Sequence, residues 1–107
     1  MNQKFLESVR QAARKKLLFL PHTVRQMSRP DRMISTEGIH RVLMQGEIIE
    51  DYPEDLRGHS CLMLGIDKTG REVHGVCSPK EDYVAIITAY LPNPNQWQTG
   101  FKKRKEQ

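Results

Sequence analysis

The sequence predicts an α+β fold, with N-terminal helices packed on one face of a four-stranded antiparallel meander sheet. Three observations predict it. Apolar residues recur at helical spacing up to Gly46 and alternate after it. Turn signals such as "DKTG" and "PNPN" separate the short apolar runs of the second half. The chain has 107 residues, enough for one hydrophobic core and too few for two. Helices followed by strands, rather than alternating with them, give segregated α and β layers.

Residues 3–19 place Phe5, Val9, Ala12, Ala13 and Leu17 at helical spacing, with Arg10, Arg14 and Lys15 between them, and Pro21 is expected to end this helix. "HTVRQM" is a shorter helix that gives way to a turn at "SRPDR", where Pro30 disfavours helical geometry for Arg29. In "ISTEGIHRVL", Ser35 is the N-cap, Ile34 and Ile39 form a hydrophobic staple, and Gly46 closes the helix. Gly38 stands where a capping-box glutamate would be. Four strands follow: "EIIEDY", "HSCLMLGI", "REVHGVC" and "DYVAIITAYL", the last the most apolar and therefore expected to be central. The expected organisation is an amphipathic basic helix over 1–21, one α+β domain over 22–101 and a basic tail over 102–107.

Register decides which side chains share a face. If "DKTG" is a four-residue loop, Ile66 pairs with Arg71, Leu64 with Val73 and Met63 with His74. Leu62, Leu64, Ile66 and Val73 then face the helices, while Cys61, Met63, Glu72, His74 and Val76 face a second, open side. With an odd loop before strand four, His74 shares that side with Thr88 and Tyr90; an even loop reverses this. Cys61 and Cys77 fall on opposite faces, which argues against a disulfide. An imidazole, a hydroxyl and a phenol on one exposed face could bind an anion or move protons. The competing reading is a partly buried structural histidine.

The charges are uneven. Lys and Arg outnumber Asp and Glu nine to three over 1–45 and four to one over 102–107, but are outnumbered four to nine over 46–101. Basic ends suit an anionic polymer such as RNA, or the chain's own acidic strands. The "EIIEDYPED" acids Glu50, Asp51, Glu54 and Asp55 read as a solvated rim within reach of the basic tail rather than as a paired-carboxylate site. The longest apolar run near the N-terminus, "LLFL", is too short for a signal peptide or a membrane span, so a cytoplasmic protein is expected. Two cysteines without a C-x-x-C pair exclude a disulfide scaffold and give no redox motif. His59 and Cys61 alternate on one strand, but with no further ligand pair they read as structural, and neither a metal nor another cofactor is expected.

"HTVRQM", "RMIS" before a helix, "GEIIEDYPED", "CLMLG", "GREVHGV" and "AIITAYLP" followed by "W" form an ordered set over His22 to Lys103. In these the chain resembles the bacterial domain-of-unknown-function 4258 family. The resemblance implies a fold similar to small ribonuclease toxins of the RelE-like and barnase-like kind. It implies a helix-one histidine at His22 and a strand histidine at His74, with Thr88 and Tyr90 from the last strand motif. Many relatives carry an arginine where Gln26 stands, which leaves phosphate stabilisation to Arg25, Arg29 or Arg32.

Two functions follow as expectations. In the first, a metal-independent ribonuclease of toxin type, His22 and His74 share acid and base roles. Arg25, Arg29 and Arg32 hold the phosphate, Lys102 and Lys103 track the backbone, and a cognate antitoxin-like protein is a further partner. In the second, a non-catalytic module docks a protein on an apolar open-face patch of Met63, Val76 and Ile86.

Overall fold

The computed structural model describes residues 3–106. Met1 and Asn2, within the expected first helix, and Gln107, in the expected tail, lie outside the described residues. Helix α1, Gln3–Lys15, buries Phe5, Val9, Ala12 and Ala13, the stripe that the spacing predicts. It does not run on to residue 19. Leu17–Phe19 is instead a strand, β1, which pairs in parallel with β5 (Val84–Tyr90) through Leu17 with Val84 and Phe19 with Ile86. In "LLF" helical and alternating readings both fit, and the free ladder of β5 selects the strand, with Leu17 and Phe19 against the core and Leu18 exposed. Pro21 therefore starts α2, Pro21–Met27, at a position where its missing N–H costs nothing.

Helix α3, Thr36–Gln45, begins as expected, with the Ser35 hydroxyl accepting from the Gly38 N–H at 2.9 Å. Gly46 caps it in an extended conformation, through its N–H to the Val42 carbonyl at 2.8 Å. Three further strands, β2 (Glu47–Tyr52), β3 (Ser60–Ile66) and β4 (Glu72–Pro79), complete a sheet of order β1-β5-β4-β3-β2. The meander β2 to β5 is antiparallel as expected, but β1 makes the sheet five-stranded and mixed, and β4 rather than β5 is central.

The β3–β4 hairpin corrects the expected register. Ile66 pairs with Glu72, Leu64 with His74, Met63 with Gly75 and Cys61 with Cys77. The loop holds five residues because Asp67 organises it: its carboxylate accepts from the Thr69 N–H, the Thr69 hydroxyl and the Arg71 N–H at 2.9, 2.7 and 3.0 Å. A one-residue slip exchanges the faces. Cys61 and Met63 thus join Val73 and Cys77 in the core under the helices, while Leu62 and Leu64 lie on the other side. The docking patch of Met63, Val76 and Ile86 does not exist, since Met63 and Ile86 are fully buried in the helix-side core.

Two β-bulges reverse side-chain parity within single strands. Ile48 pairs with Met63 on the helix side, but Glu50 pairs with Leu62, so the extra residue Ile49 turns Glu50 and Tyr52 to the second face. In β5, Ile86 pairs with Cys77 but Thr88 with Val76, so Ile87 turns Thr88 and Tyr90 the same way. The sequence-based face of Val84, Ile86, Thr88 and Tyr90 is therefore split in the middle. The second face is not open either. The segment after β5 returns across it, with Trp97 bridged to Arg104 and only 2% exposed.

Candidate active site

His74 sits where the second face meets this returning segment and is fully buried. Its Nε2 lies 2.8 Å from the Phe101 carbonyl oxygen and its Nδ1 lies 3.2 Å from the Tyr90 hydroxyl. A carbonyl only accepts, so Nε2 carries the hydrogen. Nδ1 is then the acceptor, and the Tyr90 O–H donates to it. Gly100 and Phe101 both have positive φ, 92° and 61°, and this left-handed turn aims the Phe101 carbonyl at the ring. Trp97 meets the imidazole edge-on at a centroid distance of 4.4 Å, and Tyr90 does so at 5.3 Å.

Beside His74 lies a charged cluster. Arg104 donates to both oxygens of Glu50 at 2.9 and 3.1 Å, Tyr52 donates its hydroxyl to the same carboxylate, and the guanidinium lies 4.6 Å from the Trp97 ring centre. Burial pushes the Glu50 carboxyl up, but the hydrogen bonds from Arg104 and Tyr52 outweigh it and hold the group below its ordinary value. Burial, and then the bond to Glu50, push the Tyr52 phenol up to about 12. Burial raises Tyr90 as well, and lowers His74 despite the Phe101 carbonyl and the Glu50 charge. At neutral pH the imidazole is therefore neutral and both phenols keep their protons.

His74 carries a stability consequence whose sign is fixed by its lowered folded-state value. The unfolded chain takes up the proton first, so stability is complete above the ordinary value of 6.5 and is lost as pH falls below it. Glu50 and Asp67, both lowered, add further loss at more acid pH. The melting temperature is expected to fall steadily from about pH 7 to about pH 5, with a shallower slope in His74→Gln. A melting temperature unchanged over that range contradicts a buried neutral imidazole.

The remaining sequence-predicted residues divide. Thr88 shares the face of His74 and Tyr90, but its hydroxyl donates to Gln26 Oε1 at 3.1 Å, so Gln26 ties α2 to β5. His22 is exposed on α2 and does not join His74. The next residue, Thr23, bonds the Ile86 and Ile87 carbonyls, whereas His74 pairs with Tyr90, roughly 10 Å further along the strand. Arg25 is exposed with no partner among the described residues, and Arg29 pairs with Asp31 at 3.3 Å. Arg32 is half-buried and helps line a groove of about 380 Å³ with Asp31, Tyr90, Leu91, Asn93 and Gln96. Lys102 pairs with Glu47 at 3.2 Å, while Lys103 is exposed and its carbonyl accepts from the Gln98 N–H.

Sequence reasoning missed Glu50, Tyr52, Trp97 and Arg104 as members of the cluster. The i, i+2 spacing of Glu50 and Tyr52 in a strand was the available signal, together with an arginine in a tail expected to meet the acidic rim. His59 donates to Asp51 at 2.5 Å and stacks on Phe5, and Cys61 faces Cys77, so the alternating pair does not converge. Among the described residues no helix is long and apolar enough to cross a membrane.

No curated protein and no solved structure matches the chain. The family model described as "Domain of unknown function (DUF4258)" matches residues 19–91, which include Glu50, Tyr52, His74, Thr88 and Tyr90 but neither α1 nor the covering segment with Trp97 and Arg104. The chain belongs to the domain-of-unknown-function 4258 family.

Proposed function

We propose that this domain cleaves single-stranded RNA by metal-independent acid–base chemistry at the Tyr90–His74 pair. One observation carries the reading: the Tyr90 hydroxyl, at the half-buried rim of a groove that Arg32 also lines, donates to a buried, neutral imidazole whose other nitrogen is held by a carbonyl. A group that meets a substrate, a base behind it and an orienter behind the base have the logic of an activated proton relay. The two bulges support it, because bulges recur where a strand must re-aim a side chain beside a reactive site.

The substrate 2′-hydroxyl passes its proton to the Tyr90 oxygen as the Tyr90 proton moves to His74 Nδ1. The 2′-oxygen bonds to phosphorus, the bond to the 5′-oxygen breaks, and the relay returns a proton to that leaving oxygen. The Glu50 charge favours the transient imidazolium, and Arg32 faces the phosphate. The exposed cations Arg25 and Lys103 supply backbone attraction that weakens with salt.

The test is a single-stranded RNA oligonucleotide incubated with the purified chain in chelator, with 2′,3′-cyclic phosphate ends as the readout. Tyr90→Phe keeps the ring against His74 and deletes the relay hydroxyl, and is expected to lower the rate about 10²–10⁴-fold. Intact RNA with folded wild-type protein overturns the proposal, and an unchanged rate in Tyr90→Phe removes the relay from it.

A further inference from the structure

Sequence register placed Cys61 and Cys77 on opposite faces; the folded register makes them direct cross-strand partners with their Sγ atoms 3.8 Å apart. Directly opposed residues of antiparallel strands have Cα separations of about 4.5–5.5 Å, inside the range a disulfide spans. Bond formation at about 2.05 Å needs each sulfur to move by roughly 0.9 Å, within reach of small side-chain rotations. Each thiol has the other as its hydrogen-bonding neighbour, and both side chains are fully buried in the core that α1 covers. Cys77 pairs with Ile86, immediately before the bulged Ile87, so a tie here also pins the strand that carries Tyr90.

We propose that Cys61 and Cys77 are a redox modification site, which closes into a cross-strand disulfide between β3 and β4 when the chain folds in the presence of a low-molecular-weight disulfide. One cysteine thiolate attacks the reagent and expels one thiolate, leaving a mixed disulfide. The second cysteine thiolate attacks the protein-bound sulfur of that mixed disulfide and expels the other. The two cysteines lose two electrons, the reagent becomes two thiols, and the two cysteine protons end on them. Burial controls when this happens. In the folded chain neither sulfur meets solvent, so oxidation belongs to folding or to an opening of α1, and a bond once closed is shielded from reductants in the same way.

The experiment is refolding from denaturant with either oxidised or reduced glutathione, followed by denaturing alkylation and intact mass. The expected product with oxidised glutathione is a monomer lighter by two hydrogens with neither cysteine alkylated. Its melting temperature is expected to be about 10 °C above that of the reduced form. Cys61→Ala and Cys77→Ala, each folded, are expected to show neither the mass loss nor the shift. Two alkylatable thiols after oxidative refolding overturn the site, as does a glutathione adduct that persists or a disulfide-linked dimer.

Discussion

Trp97→Ala is expected to cost about 3–5 kcal/mol, a large part of the roughly 5–15 kcal/mol that holds a domain of this size together. Trp97 lies outside the helices and strands, yet it is 2% exposed, meets the His74 ring edge-on and carries Arg104 over its face. Its removal opens a void above His74 and frees Arg104, which weakens the pairing to Glu50 and the carbonyl contact from Phe101. Because it is the single tryptophan, the measurement is urea unfolding followed by far-ultraviolet circular dichroism. A loss under about 1 kcal/mol contradicts the covering segment as part of the cooperative unit and makes it a detachable lid over the relay.

Gly46→Ala is expected to cost about 3 kcal/mol, at the upper end for an added methyl group. A Cβ at Gly46 would lie closer than any ordinary contact to two backbone carbonyl oxygens, those of Val42 and Leu64. Neither can rotate away, since Val42 accepts the Gly46 N–H and Leu64 is in the ladder of β3. The strain would push α3 off the sheet, and Gly65, whose own Cβ would come within 2.8 Å of the Val42 Cα, leaves no slack on the other side. Gly70→Ala is the contrasting variant: its φ of 86° is unfavourable for alanine but the space around it is open, so about 1–2 kcal/mol is expected from the backbone alone. Equal losses at the two glycines contradict the close helix–sheet approach.

Much of the frame was legible because it rests on short-range physics. The buried stripe of α1, the Ser35 cap, the strand β2 and the order of the meander all follow from periodicity and capping chemistry. Leu17–Phe19 was not legible, since three apolar residues fit a helix or a strand and only the unpaired edge of β5 chooses. His74 and Tyr90 were placed on one face on the condition of an odd loop before the last strand; that loop, residues 80–83, is even, and it is the unseen bulge at Ile87 that restores the shared face. Glu50 was read as rim because its side chain turns toward His74 only through the bulge at Ile49.

The sequence by itself determined the α+β class, the Ser35-capped start of α3 and the residue types from which an acid–base site can be built. Tertiary structure alone decided which of them meet. Register, bulges and the return of residues 91–106 depend on contacts between residues far apart in the chain, such as Arg71 at the end of the hairpin loop reaching the Arg32 carbonyl, Thr88 pairing with Val76 across the bulge and Arg104 reaching Glu50. Local propensity cannot encode a pairing whose free energy exists only after the chain has closed on itself.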